Sequence, residues 1–181
     1  RNFIIAASVI GLSAVAQAED IKVDTLRYAG PYAIRRPLMI DSTDVESNSF
    51  DSKKLLDSPI RLELVEEDGV LTDGVVSSEN NEYALHLLGF SVTNKERVKV
   101  KLAVEGLKDK RIFVDGNLLQ ARDGKITLEP STHKVVVKCL TMSDEADTLS
   151  VKVEYPDGYA VKIGDISGKQ SRSYTIYDVH H

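Results

Sequence analysis

The amino-acid sequence predicts an all-β fold, an antiparallel β-sandwich or barrel, on three observations. Apolar residues recur at every second position in run after run from residue 60 onward, the period of a half-buried strand. Five Asp-Gly pairs (Asp68-Gly69, Asp73-Gly74, Asp115-Gly116, Asp123-Gly124 and Asp157-Gly158) punctuate those runs. Glycine takes positive φ without a Cβ clash and aspartate tolerates the neighbouring position, as tight hairpins demand. After residue 18, no stretch long enough for a substantial helix carries an apolar period of 3.6.

The elements follow in order. Residues 1–18 read as a signal peptide: Arg1, an uncharged apolar run from Phe3 to Ala16, and a small-x-small cleavage site at Ala16-Gln17-Ala18 ahead of Glu19-Asp20. The run is too short to cross a hydrocarbon layer of about 30 Å as a helix. No cysteine stands near the cleavage point for a lipid anchor. The mature chain is therefore expected in the periplasm or secreted, with no membrane association once the signal is removed.

Residues 19–58, with Pro31, Pro37 and the polar stretch Asp41 to Ser49, read as an irregular lead-in packed on the sandwich. An edge strand is expected near Arg35 to Ile40, and one or two helical turns over Ser52 to Leu56, ahead of Pro59. Residues 59–163 form the expected sandwich. Ile60, Leu62 and Leu64 alternate and read as its first strand; Tyr83 to Val92 is continuously apolar and reads as a central strand covered on both faces. Val98, Val100, Leu102 and Val104 alternate with Lys99, Lys101 and Ala103, the cleanest half-buried strand. Ile112 and Val114, Ile126 and Leu128, Val135 to Leu140, and Leu149, Val151 and Val153 continue the rhythm, and Tyr159 to Ile163 reads as a further hairpin-like piece. Residues 164–181 begin with a Gly/Ser/Lys linker. The absence of an initiator Met and the halt at Tyr174 to His181 in mid-pattern predict a piece of a longer protein, its downstream domain missing; His180-His181 reads equally as native sequence or the start of a tag.

Composition narrows the function. The formal net charge is −5 at pH 7, basic and acidic residues are interleaved, and no basic tract occurs. Nucleic acid and anionic membrane surfaces are thus not expected partners. Cys139 is the single cysteine, so no internal disulfide forms. It shares a period-2 face with Val135 and Val137 and reads as a small buried hydrophobe. His133, six residues away along the same extended run, stands about 20 Å off at strand rise and cannot activate it locally.

Chemical motifs are incomplete. Gly89-Phe-Ser-Val-Thr93 lacks the closing glycine of a nucleophile elbow, Gly164-Asp-Ile-Ser-Gly168 misplaces the serine, and Gly168-Lys169 lacks the upstream glycine of a phosphate loop. His86, between Leu85 and Leu87, reads as a satisfied core histidine, and His133 as packing at the mouth of a strand; neither has a local base or ligand partner. No catalytic residue, metal ligand or cofactor is expected. Tyr28, Tyr32, Arg35 and Arg36 are the candidate ligand-binding residues, because aromatic faces stack on sugar rings and arginine donates paired hydrogen bonds. The opposing reading is that tyrosines beside Gly30-Pro31 staple the lead-in to a sheet, and the absence of tryptophan favours it.

The stretch Leu107 to Leu119, containing Ile112-Phe-Val-Asp-Gly116, followed by Ile126-Thr-Leu-Glu-Pro-Ser-Thr-His133 to Val137, resembles the hairpins of jelly-roll modules of the galactose-binding and protective-antigen type. Tyr28-Ala-Gly-Pro-Tyr32 is similar to the lead-in of such modules in exported bacterial hydrolases. The resemblance covers about half of the mature chain and implies a jelly-roll-like sandwich. It departs where Ser131-Thr132 stands in place of the glycine before the histidine, and no acidic calcium or sugar ligands align, so ligand binding does not carry over. Ser173 to Val179 is similar to the segment entering the β-propeller of prolyl-oligopeptidase-type and dipeptidyl-peptidase-type serine peptidases.

Three readings follow. The first is a non-catalytic accessory module of an exported, peptidase-like hydrolase, positioning or stabilising a downstream domain of the same polypeptide. The second is a carbohydrate-binding module with glycan as partner. The third is a stand-alone periplasmic structural protein.

Overall fold

The computed structural model describes residues 18–34, 52–67, 69–77, 83–141 and 146–167. In chain order these carry β1 (Ala18–Lys22), β2 (Leu26–Ile34), α1 (Ser52–Asp57), α2 (Leu62–Glu67), β3 (Gly69–Leu71), β4 (Val75–Ser77), β5 (Tyr83–Asn94), β6 (Val98–Glu105), β7 (Asp109–Val114), β8 (Asn117–Leu118), β9 (Lys125–Leu128), β10 (Ser131–Thr141), β11 (Ala146–Thr148), β12 (Ser150–Pro156) and β13 (Val161–Gly164). The fold is all-β and antiparallel, in two facing sheets. One runs β1-β12-β6-β9; the other runs β3-β2-β5-β10-β7-β8, with β13 also on β5. β4 and β11 form a separate ribbon.

Alternation builds the core between the sheets. Val98, Val100 and Leu102 of β6 and Val151 and Val153 of β12 face Leu88, Phe90 and Val92 of β5 and Val135, Val137 and Cys139 of β10. The intervening residues of β5 and β10 are also buried. Leu87 and Val136 point to the outer face of the larger sheet, where with Ala29 and Phe113 they meet Val65 and Ile166 in a second, smaller core. A strand covered on both faces reads as a continuous apolar run, and Tyr83 to Val92 does.

The molecule thus has a third layer, and there the sequence reading needs correction. Ile60 to Leu64 was expected as strand, but Leu62 to Leu64 open α2, because five residues of alternation cannot separate a strand from one helical turn. Leu-Glu-Leu-Val-Glu-Glu is rich in helix formers, and Leu62 and Val65, three apart, share the packed side while Leu64 is exposed. Helix α1 stands where it was expected.

The lead-in is also more regular than expected: β1 is an edge strand and β2 lies inside the larger sheet. Pairing of β2 with β5 shifts register between Ala29 and Tyr32, which breaks the alternation by which a strand is recognised. After Asp157-Gly158 the chain crosses between sheets, since β12 pairs with β6 and β13 with β5; β13 is no hairpin partner of β12. The first residues of the expected linker belong to the fold: Gly164 closes β13 and Ile166 is buried. The edge strand expected at 35–40, residues 1–17 of the expected signal peptide and residues 168–181 lie outside the described residues.

Candidate functional site

Residues directly opposite in an antiparallel pair share a face, so register says which side chains meet. Tyr28 lies opposite Leu88, which is in the main core, and Tyr32 opposite Leu85, three residues away and on the other face. The fold therefore turns the two candidate tyrosines in opposite directions. Tyr28 points inward, its hydroxyl 2.7 Å from His86 Nδ1 and its ring stacked on the imidazole at 5.9 Å between centroids. Tyr32 is at the surface. Arg35 and Arg36 lie outside the described residues. Tyr28 is thus engaged within the sandwich through both its hydroxyl and its ring.

His86 is fully buried, with Nε2 2.7 Å from Thr141 Oγ1. Burial in an apolar setting drops its pKa to about 4, so the ring is neutral and offers one N–H and one lone pair. Two hydroxyls, from residues far away in sequence, match that pair. Cys139 lies directly opposite His86 in the β5–β10 register. Even so the pair forms no nucleophile: both imidazole nitrogens are engaged, and burial pushes the thiol up to about 12, with Lys110 opposing only in part.

His133 has the carboxylate partner that its sequence neighbourhood lacks. Its Nδ1 stands 2.7 Å from Asp115 Oδ2 and its Nε2 2.7 Å from the Glu129 carbonyl. Asp115, at φ 51°, begins a tight turn with Gly116 at φ 82°, and its other oxygen accepts from the Lys134 amide at 2.9 Å. The Asp-Gly signal located the turn; nothing local paired its carboxylate with a residue 18 positions on.

The open feature on the larger sheet is a groove of about 850 Å³ on its outer face. Register gives a grid of side chains there. Arg27, Gly89 and Val136 form one row, Gly164, Ser91 and Lys134 the next, and Lys162, Thr93 and Thr132 the third. The first row is roofed: a Cβ on Gly89 would stand 2.6 Å from Val65 Cγ1 and 2.7 Å from Ile166 Cδ1. The other two rows are polar, and the groove over them is walled by the β1–β2 segment with Lys22, Asp24 and Thr25.

Arg27 and Asp165 fix the end of the groove with contacts of 2.6 to 3.1 Å. The guanidinium's hydrogen bonds, with those from Ser167, hold the Asp165 carboxyl at about 2. Thr93 and Thr132 join hydroxyls at 2.9 Å, and Lys134 pairs with Glu66 of α2. In the sequence Thr93, Asp165 and Ser167 appear only within incomplete motifs and none of these residues stands out as part of a group, because a grid across β13, β5 and β10 exists only once the register is known. A second groove, of about 760 Å³, runs along the β6 edge beside β7 and the loop before β9.

Among the described residues no three His, Cys, Asp or Glu side chains group as metal ligands do, and no helix is long and apolar enough to cross a membrane. Comparison with protein-family models, curated proteins and solved structures finds no match.

Proposed function

We propose that this chain is a non-catalytic β-sandwich module of an exported hydrolase, positioning or stabilising a neighbouring domain of the same polypeptide. The observation that carries the reading is how the fold uses its reactive side chains. His86 is spent between Tyr28 and Thr141, His133 between Asp115 and a carbonyl, and the Cys139 thiol is held protonated in the core. Catalysis by these groups needs an exposed, activated nucleophile or a base with a free nitrogen.

The test is to read the gene beyond the codon for His181 and purify its product. The expected result is a hydrolase domain in that polypeptide whose melting temperature falls by several degrees when residues 19–167 are deleted. Turnover of peptide, ester or glycoside substrates by this chain alone, or a gene ending at His181, overturns the reading.

A second reading, a glycan-binding module, is favoured by the polar rows lining the outer-face groove. Their hydroxyl and ammonium groups donate and accept hydrogen bonds as a polyhydroxylated ligand requires.

A further inference from the structure

We propose that the groove over Ser91 binds an acidic saccharide, a sugar bearing a carboxylate or sulfate, with Ser91 at its floor and Lys162 and Lys22 at its flanks. This rests on the glycan-binding reading and gives it a site and a ligand class.

Ser91 is the first argument. Its side chain is more than nine-tenths buried at 4% exposure, yet its hydroxyl has no hydrogen-bond partner among the described residues and opens into the groove. The hydroxyl is not among the fully buried unpaired atoms, so what exposure Ser91 retains lies at this oxygen, where it can donate to or accept from a ligand in the groove. What keeps it open is Gly164, directly opposite on β13. A Cβ there would stand 3.0 Å from Ser91 Oγ and fill the approach. Gly164 carries no left-handed φ, so backbone conformation does not demand glycine at that place. The space above Ser91 does.

Charge is the second argument. Lys22, Arg27 and Lys162 line the groove with Asp24 and Asp165. Arg27 and Asp165 neutralise one another. Lys22 and Lys162, both exposed, enter no ion pair among the described residues and stand against the single carboxylate of Asp24. The surplus is cationic in a molecule of net charge −5, which sets the groove apart from the overall field.

The shape of the polar surface is the third. From β13 to β10 the polar rows span about 10 Å, two inter-strand spacings. They carry Ser91, the Thr93–Thr132 hydroxyl pair and Lys162, with no aromatic side chain among the lining residues. A neutral pyranose is gripped mainly by stacking on a ring face, which this groove does not offer. A ligand held by hydroxyls and an ammonium alone gains most from a charged oxygen, because charge-assisted hydrogen bonds are roughly twice as strong as neutral ones.

The test is titration calorimetry on the full chain with three probes: an oligogalacturonate, a sulfated glucan oligosaccharide and a neutral malto-oligosaccharide. Binding of either acidic probe, at least about tenfold tighter than the neutral one and weakened as salt rises, is the expected result and identifies the anion. Lys162→Glu and Gly164→Val should each lower that affinity by about tenfold or more with the melting temperature unchanged. Should Gly164→Val fail to fold, Ser91→Ala takes its place. Equal affinity for the neutral probe overturns the assignment of an acidic ligand and leaves the glycan reading standing. Acidic binding indifferent to these substitutions overturns the site. Silence with all three probes overturns the inference and the glycan reading together.

Discussion

The imidazole of His133 lies against the carboxylate of Asp115 with Nδ1 2.7 Å from Oδ2, while its other nitrogen stands 2.7 Å from the Glu129 carbonyl. Both neighbours are acceptors, so only the doubly protonated ring can donate to both. Burial lowers the pKa of His133, but the hydrogen bonds to Asp115 and Glu129 and their attraction outweigh it, and the net shift is upward. A raised folded-state pKa gives stability that is fully present below the unfolded value of 6.5 and is lost as pH rises through the folded value. Urea unfolding of the wild type should therefore show stability falling on the alkaline side of neutrality. In His133→Gln that fall should be absent, with a loss of about 1 to 2 kcal/mol at pH 6. An unchanged alkaline slope in the variant would remove His133 as its source.

His86 works with the opposite sign. Its pKa is depressed to about 4, so the folded state resists the proton that the unfolded chain accepts below 6.5. Stability contributed by the neutral ring is present above 6.5 and drains away as pH falls from 6.5 to about 4, by on the order of 3 kcal/mol. Asp165, held at about 2, withdraws its share only at lower pH still, so the two losses separate in an acid titration. Following the His86 imidazole by nuclear magnetic resonance should find it neutral at pH 5. A charged ring at that pH would contradict the burial argument.

Tyr28→Phe tests the same network without changing pH. The substitution keeps the ring stacked on His86 but removes the group 2.7 Å from Nδ1, leaving a buried nitrogen unpaired. A cost of about 1 to 3 kcal/mol in denaturant unfolding is expected. A neutral result would show that Tyr28 acts only through its packing.

What the sequence disclosed and what it hid divide along one physical line. Side-chain patterning is local, so β6, β7, β9, β10 and β12 could be read from period-2 patterns and β5 from its continuous apolar run. Asp73, Asp115, Asp123 and Asp157 marked turns because a tight turn is a local demand on backbone angles. β2 was hidden because its bulge puts two tyrosines of one segment on opposite faces, and α2 because one turn of helix mimics alternation. His86 was legible as a core residue, but Tyr28 and Thr141 as its partners were not, nor was Asp115 as the partner of His133. Those contacts depend on register between strands, which no residue states alone. The groove over Ser91 was illegible for the same reason. Serine, threonine and glycine are ordinary in turns and strands, and become a polar floor only when three strands align them.

Lys138 shows how charge enters the second core. The side chain is 2% exposed, yet its ammonium donates to the carbonyls of Leu55 and Ser58 and to Ser58 Oγ, and sits 5.7 Å above the Phe113 ring centroid. Burial lowers its pKa, with Asp57 opposing. The contacts close the C-terminal end of α1, where carbonyls lack helical partners. Lys138→Met should remove that closure while retaining the apolar stem. Amide hydrogen exchange is expected to accelerate over Ser52–Asp57 and remain slow in β5 and β10, with about 1 to 3 kcal/mol lost overall. Uniform acceleration across the sheet would mean that Lys138 supports the whole fold rather than the docking of one helix.

Cys139 supplies the simplest check on the core. The thiol is fully buried opposite His86, and burial holds it protonated up to about 12. Only a thiolate attacks a disulfide reagent, and only where the two can meet. In native protein at pH 8 labelling should therefore follow global unfolding, at a rate that rises with urea as the unfolded population rises. Prompt labelling without urea would mean that the β5–β10 contact opens locally. The neutral, sealed histidine–cysteine pair on which the non-catalytic reading depends would then be accessible after all.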